Sequence, residues 1–291
     1  MAISTTLYND SACPWAYSAN PALDVLRWRY REQLQWRLVV IVLREDTAGS
    51  QASGYTPVRQ ARGWRMFRDR YGMPFSPQAR ERLVASGRIC RAVVATRLAH
   101  PGREFAVMRA LQFAWFTTTA LLDEDEAIAS VLARVDGVDG AAVVAALDSP
   151  AVIEAYEADK REARTAAGGP TEFQGKAAVS DGLVRYTAPS VVFELGERRL
   201  EAGGFQSIEA YDVLIANLDT GLVRTPPPDG PLALLQYFSD GLCTQEVAEL
   251  LAGHLEAVDR VAAEEALIEL AGAGAVTREP LGDDALWRAV S

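Results

Sequence analysis

The start of the chain constrains its fold most strongly, because strand and helix signals alternate there over a short distance. Residues 3–8, ISTTLY, look like a short strand, and a short loop then leads to Cys13 and Pro14. Proline is favoured in the first turn of a helix, and helix-forming residues continue to Tyr30. Residues 35–44, QWRLVVIVLR, are β-branched and apolar, as buried strands of parallel pairs are. The chain therefore begins with a predicted β-α-β unit.

The following segments predict a second half joined to the first by a helical insertion. Apolar residues recur at helical spacing over about residues 57–165. Strand character returns at residues 190–195, and a short turn leads to an antiparallel partner at residues 198–202. Ser207 can cap a last helix that ends at Leu218. The predicted order is β-α-β, helical insertion, β-β-α.

A proline-rich segment, TPPPDGP at residues 225–231, is the clearest linker in the chain. Beyond it, the pattern predicts three short helices and a closing hairpin, which is typical of a winged-helix domain. The predicted helices cover residues 232–238, 244–252 and 256–271, and the hairpin strands cover residues 275–278 and 286–290. We therefore expect an α/β domain at residues 1–222, a linker at 223–231 and an acidic winged-helix-like domain at 232–291.

The cysteine and histidine content favours a reducing compartment. The three cysteines are far apart, which gives neither a disulfide framework nor a C-x-x-C metal knuckle. With two histidines in addition, we expect no metal site. The first residues have neither a basic nor an apolar leader pattern, and no stretch approaches twenty apolar residues. These features predict a cytoplasmic protein with no membrane partner.

The charge is distributed unevenly along the chain. The net charge is −10, yet residues 27–109 hold 17 arginines against 6 acidic residues, while residues 229–291 hold 3 arginines against 12 acidic residues. Opposite charges of this size predict attraction between the two regions, within one molecule or across a homodimer; two independently solvated surfaces are the alternative. The acidic tail also argues against DNA binding, because winged helices that bind DNA neutralise phosphates with Lys and Arg.

Cys13 is the predicted catalytic residue. A thiol at the start of a helix faces unpaired backbone N–H groups and the positive end of the helix dipole, and both favour the thiolate. We therefore expect a lowered pKa, at which most of the thiol would be ionised at neutral pH. A buried, purely structural cysteine is the alternative interpretation.

The motif Cys13-Pro14-Trp15 after a first strand resembles the active site of DsbA-like thioredoxin-fold proteins, especially the FrnE-like branch with its C-P-W-C. The resemblance covers about residues 3–220 and implies a cis-proline loop facing the cysteine. Thr187-Ala188-Pro189 matches that loop in place and type. It further implies substrate contacts at the following residues: Pro14, Trp15, Tyr17, Ala188 and Pro189. The position of the family's closing loop corresponds to Phe205-Gln206.

One departure from this family changes the expected chemistry. Ala16 stands where the family places its second cysteine, so an intramolecular C-x-x-C disulfide cannot form. Cys90 and Cys243 could resolve a mixed disulfide in principle, but we expect both to be core residues. The first functional hypothesis is therefore monothiol exchange: Cys13 attacks a small-molecule or peptide disulfide, and an external low-molecular-weight thiol resolves the product.

The same residues are similar to a neighbouring branch, the kappa-class glutathione transferases and 2-hydroxychromene-2-carboxylate isomerases. Their S-P-Y-[AS]-Y motif shares Pro14, Ala16 and Tyr17 with this chain. This resemblance implies the second hypothesis, transfer or isomerisation with glutathione or mycothiol as a bound cofactor. A third hypothesis is a non-catalytic binding protein on a thioredoxin fold.

Overall fold

The structure is a computed structural model that describes residues 2–290. The predicted two-part α/β domain is present, and it contains a central four-stranded sheet. The first part contains β1 (Ile3–Asn9), α1 (Pro14–Ser18), α2 (Asn20–Tyr30) and β2 (Leu34–Val40). The parallel pairing of β1 with β2, in a register that places Ile3 opposite Leu34, follows from the crossover of the two helices between them.

The helix expected over residues 14–30 is divided into two at Ala19. Pro21 lies in the first turn of the second helix, where its missing N–H costs nothing. In one continuous helix the same proline would be an interior residue, where it lacks a donor and its ring clashes with the preceding turn. As a result, Cys13 precedes a helix of only five residues.

The second strand is shorter than the apolar run predicts. It ends at Val40 because Val42 adopts a left-handed backbone conformation, with φ of 59°. Leu43, the residue after Val42, no longer pairs within the sheet. Its amide donates instead to the Asp10 carboxylate at 2.7 Å. The end of the strand therefore contributes to the surroundings of the β1–α1 loop.

The insertion is helical, as predicted, but it begins earlier and is interrupted. It consists of α3 (Ala48–Ala52), α4 (Pro57–Tyr71), α5 (Gly87–Ala99), α6 (Glu104–Thr117), α7 (Asp125–Leu132), α8 (Gly140–Ala145) and α9 (Pro150–Ala163). Residues 72–86 form no helix. Trp115 and Phe116 of α6 are fully buried and anchor these helices in the main hydrophobic core.

A short helix and a hairpin that the sequence analysis missed lie between the insertion and Thr187. They are α10 (Pro170–Phe173), β3 (Ala177–Ser180) and β4 (Leu183–Tyr186), and the two strands form a separate antiparallel sheet. The second half then follows as predicted, with β5 (Ser190–Leu195), β6 (Arg198–Gly203) and α11 (Ile208–Leu218). The antiparallel pairing of β5 with β6 completes the central sheet, whose strand order is β2-β1-β5-β6.

The C-terminal part contains the three expected helices and hairpin, together with one additional strand. Its elements are α12 (Pro231–Tyr237), β7 (Leu242–Cys243), α13 (Thr244–Leu251), α14 (Arg260–Gly272), β8 (Val276–Leu281) and β9 (Asp284–Ala289). The third helix starts at Arg260 rather than near Glu256, because the Asp259 side chain caps it by accepting from the Ala262 amide. The sheet order is β7-β9-β8, and α13 packs on α2.

The proline-rich segment before α12 is not detached from the rest of the chain. The Trp28 indole donates to the Pro226 carbonyl at 2.8 Å, and the Thr225 amide donates to the Arg29 carbonyl at the same distance. Within residues 2–290, no helix combines the length and the apolar character that crossing a bilayer requires.

Candidate functional site

The loop between β1 and α1 holds Cys13 in a defined turn. The Cys13 amide donates to the Asp10 carbonyl at 3.0 Å, and the Ala12 amide donates to the Asp10 carboxylate at 2.8 Å. An aspartate that binds the amide two residues ahead closes a local turn of its own. The turn places Cys13 immediately before the first residue of α1, as predicted.

The Cys13 thiol faces the loop that contains Pro189. Its Sγ donates to the Ala188 carbonyl at 3.1 Å, although 175 residues separate the two in the sequence. The Ala188–Pro189 peptide bond is cis. Ser190 fixes the loop because its hydroxyl donates to the Thr187 carbonyl at 2.7 Å and accepts from the Gly204 amide.

The prediction of a lowered pKa for Cys13 is wrong. The side chain is only 5% exposed, and burial raises the pKa of the thiol to about 12, with the charge of Asp10 acting in the same direction. The backbone amides of Ala16 and Trp15 and the charge of Arg185 lower the pKa, but their combined effect is smaller. The five-residue α1 supplies few aligned peptide dipoles, whereas the apolar surroundings withhold solvation from a thiolate.

A buried polar network lies beneath this thiol, and sequence reasoning missed it. Asp10 is fully buried, and its Oδ2 accepts from the Leu43 amide, from the Ser86 hydroxyl at 2.8 Å and from the Cys90 thiol at 3.6 Å. These donors satisfy a carboxylate that burial alone would make costly. Asp10 precedes Cys13 by three residues, a spacing that fits an Asx turn and could have drawn attention to it.

An aromatic cluster surrounds Trp15, two residues after Cys13. Trp15 is 41% exposed, and its ring contacts Phe67 at 4.9 Å, Tyr71 at 5.8 Å and Phe205 at 5.9 Å between centroids. Tyr71 and Phe205 also contact each other at 4.9 Å. The cluster joins α1, α4 and the segment before α11, so the insertion contacts the helix that follows Cys13.

The other residues expected at the entrance are divided by the structure. Pro14, Ala188 and Pro189 lie with Cys13, as described above. Tyr17 is fully buried, its ring stacks on Phe116 at 4.7 Å, and its hydroxyl donates to the Pro74 carbonyl at 2.9 Å. The expectation that Tyr17 lines the entrance is therefore wrong, because α1 turns that side chain into the core.

The remaining cysteines are core residues. Cys90 and Cys243 are both fully buried, and all three cysteines, Cys13 included, are free thiols. Ala16 is fully buried next to Cys13. In residues 2–290, no group of three or more His, Cys, Asp and Glu side chains is arranged to hold a metal ion.

Several solved structures with the same fold are named as disulfide isomerases, disulfide reductases or DsbA oxidoreductases. A putative protein disulfide isomerase from Nitrosomonas europaea is similar with a TM-score of 0.56 and 16% identity, over 75% of this chain and 97% of that one. A probable DsbA oxidoreductase from Streptomyces coelicolor gives 0.55 and 18%, over 77% and 92% of the two chains. The cytosolic disulfide reductase DsbM from Pseudomonas aeruginosa gives 0.53 and 16%, over 75% and 100%.

At such identities these similarities establish the fold alone. No curated protein matches the chain. Residues 6–186, by contrast, match the family described as the DSBA-like thioredoxin domain, and this range includes both Cys13 and the whole helical insertion. The chain belongs to the DSBA-like thioredoxin domain family.

Proposed function

We propose that the protein is a cytoplasmic thiol-disulfide oxidoreductase that works through Cys13 alone. The observation that carries this proposal is the contact between Cys13 Sγ and the Ala188 carbonyl, beside an alanine at the position where a second cysteine would stand. Family membership and the disulfide-related names of the structural neighbours support the reaction class.

The exchange runs in two balanced steps. The Cys13 thiolate attacks one sulfur of a disulfide, a mixed disulfide forms, and the other sulfur leaves as a thiolate. An external thiolate then attacks the mixed disulfide and regenerates Cys13. Since the buried thiol has a pKa of about 12, only about one molecule in 10⁵ is ionised at pH 7 in this closed arrangement. Efficient exchange therefore requires an opening that brings Sγ into contact with solvent or substrate.

Three groups are positioned to receive a substrate. Loss of the thiol proton frees the Ala188 carbonyl to accept an N–H from an extended substrate backbone. Pro14 and Trp15 border the thiol, and the exposed part of the Trp15 ring offers an apolar contact. Tyr17 has no part in this role because it lies in the core.

A low-molecular-weight thiol, glutathione or mycothiol, is the proposed external partner. One structure of the neighbour DsbM was solved with GSH. Ala16 stands in place of a second motif cysteine, and Cys90 and Cys243 are fully buried, so we propose that the resolving sulfur comes from another molecule. The cytoplasm, which keeps such thiols reduced, is the compartment that fits this cycle.

A second candidate function is supported by the raised pKa of Cys13. A thiol that stays protonated can donate a hydrogen bond to the sulfur of a bound thiol cofactor, as a serine does in the kappa-type enzymes that the motif resembles. In that case the protein is a transferase or isomerase, and Cys13 positions the cofactor without forming a covalent bond.

We also propose that the C-terminal part is a winged-helix-like interaction or lid module rather than a DNA-binding one. Its third helix, α14, carries Glu264, Glu265 and Glu269 against a single cation, Arg260. Phosphate groups would be repelled by such a helix. Ion pairs of Asp240 and Glu246 with Arg103 and Arg109 of the insertion support a role within the molecule.

Mass spectrometry after incubation with glutathione disulfide tests the exchange. We expect one glutathione adduct, located on Cys13 and removed by excess glutathione. Cys13→Ser should abolish the adduct, whereas Cys90→Ala, the matched control for a buried thiol, should retain it. Reversible glutathione binding without a covalent adduct would instead favour the transferase function, and an inert Cys13 with no binding would contradict both.

A further inference from the structure

The exposed face of α4 is strongly basic, and most of its arginines have no ionic partner among residues 2–290. Four arginines of this helix form no ion pair with any described residue: Arg59, Arg62, Arg65 and Arg70. Its one acidic residue, Asp69, is engaged by Arg68, which also reaches Asp283. In a chain whose net charge is −10, such a concentration of unpaired cations is unusual.

This basic face lies beside the proposed active site. The inner face of α4 supplies Phe67 and Tyr71 to the aromatic cluster around Trp15. The Arg70 guanidinium lies 5.4 Å from the centroid of the Tyr71 ring, and Tyr71 is the ring that contacts both Trp15 and Phe205. A molecule bound along α4 would therefore lie next to the aromatic cluster around Trp15, two residues from Cys13.

The length of the face indicates the size of the partner. The twelve residues from Arg59 to Arg70 span about 16 Å of helix. A tripeptide thiol extends over about 10 Å and covers only part of this distance, whereas about five residues of extended polypeptide match it. Carboxylate side chains are the natural partners of guanidinium groups, which bind them with paired hydrogen bonds.

We propose that α4 is a docking surface for acidic polypeptide disulfides, which it delivers to Cys13. The proposal rests on the function proposed above. In the reaction, Cys13 Sγ bonds to one sulfur of the polypeptide disulfide, the S–S bond breaks, and the departing sulfur leaves as a thiolate. Exposed charges of this kind act mainly by raising the rate of encounter, so the effect depends on ionic strength.

Rates of exchange with a pair of peptide disulfides test the proposal. Both peptides carry one cysteine bound to a thiopyridyl leaving group, and they differ only in four Glu or four Gln beside that cysteine. At low salt we expect the Glu peptide to react about tenfold faster, and the difference to disappear at high salt. Neutral dithiodipyridine serves as the reference for the reactivity of Cys13 itself.

A double variant, Arg62→Ser with Arg70→Ser, should remove most of the preference for the Glu peptide and leave the rates of the Gln peptide and of dithiodipyridine unchanged. The charge-matched control is Arg161→Ser with Arg278→Ser, two exposed arginines on α9 and β8 that form no ion pair with a described residue. This control should keep the preference.

Three results would overturn the proposal. Equal rates for the two peptides at low salt would show that α4 does not select acidic partners, and an equal loss in the control would show that net charge alone acts. A homodimer that dissociates in the double variant, measured by sedimentation, would assign the face to a second copy of the chain. Failure of dithiodipyridine to react would instead overturn the proposed function, and this proposal with it.

Discussion

At the scale of the residue, the behaviour of Cys13 depends on a balance between local and tertiary effects. A helix start contributes about 0.3–1 kcal/mol in favour of a negative charge. The change from the ordinary pKa of 9.0 to about 12 corresponds to roughly 4 kcal/mol in the opposite direction. Burial therefore outweighs the helix, and it preserves the protonated thiol that binds the Ala188 carbonyl.

The rate of alkylation of Cys13 against pH checks this balance. We expect the rate with iodoacetamide to increase about tenfold for each pH unit up to about pH 10, without a plateau, because the thiolate fraction grows in that way below the pKa. The same cysteine in the urea-unfolded chain should level off near pH 9. A plateau below pH 8 in the folded protein would show that the thiol is solvated and readily ionised.

The sequence contained enough to identify Cys13 but not its surroundings. A cysteine between a strand and a proline-started helix is a local signal, and the Thr187-Ala188-Pro189 segment is recognised by type. Whether the thiol is exposed depends on tertiary packing, which places Cys13 in one buried cluster with Tyr8, Tyr186 and Ala188. The orientation of Tyr17 likewise depends on the division of the predicted helix into α1 and α2 at Ala19. The sequence pattern predicted one continuous helix there.

At the scale of the element, α4 shows how local signals define a functional surface. The Thr56 hydroxyl accepts from the Arg59 amide at 3.1 Å, and Pro57 occupies the first turn. Gly72 ends the helix in the left-handed conformation, with φ of 72°. These signals are readable in the sequence. The four-residue strands β3 and β4 are not, because so short a run carries no clear period.

Gly63 within α4 and Gly72 directly after it give opposite predictions for stability. An alanine side chain at Gly63 would meet no atom within 4 Å, so Gly63→Ala should stabilise the protein by about 0.5–1 kcal/mol by restricting the unfolded chain. At Gly72 the added carbon would lie 2.1 Å from Gln245 Oε1, and the positive φ adds strain, so Gly72→Ala should destabilise. Urea unfolding measures both changes. Destabilisation by Gly63→Ala would mean that α4 is not a regular helix in solution.

At the scale of the whole molecule, the opposite charges of the two regions meet within one chain. Arg103 pairs with Asp240 at 2.8 Å, and Arg109 pairs with Glu246 of α13. Asp24 of α2 lies 3.6 Å from the same Arg109 guanidinium. The Arg109 guanidinium therefore lies near two buried acids where α2, α6 and α13 meet. Burial and the charge of Glu246 raise the pKa of Asp24 to about 6. The charge asymmetry of the sequence predicted attraction but not which pairs would be buried.

Two ion pairs between the same parts of the chain should therefore contribute very differently to stability. Arg109 is 16% exposed and Glu246 is fully buried, whereas Arg134 and Glu279 are 77% and 48% exposed. Arg109→Ala leaves a buried carboxylate unpaired and should cost about 3–5 kcal/mol. Arg134→Ala removes a solvated pair and should cost about 0–1 kcal/mol. Guanidinium unfolding curves followed by tryptophan fluorescence compare the two variants. Equal costs would show that water reaches Glu246, and the C-terminal part would then be held to the insertion by apolar packing rather than by this charge.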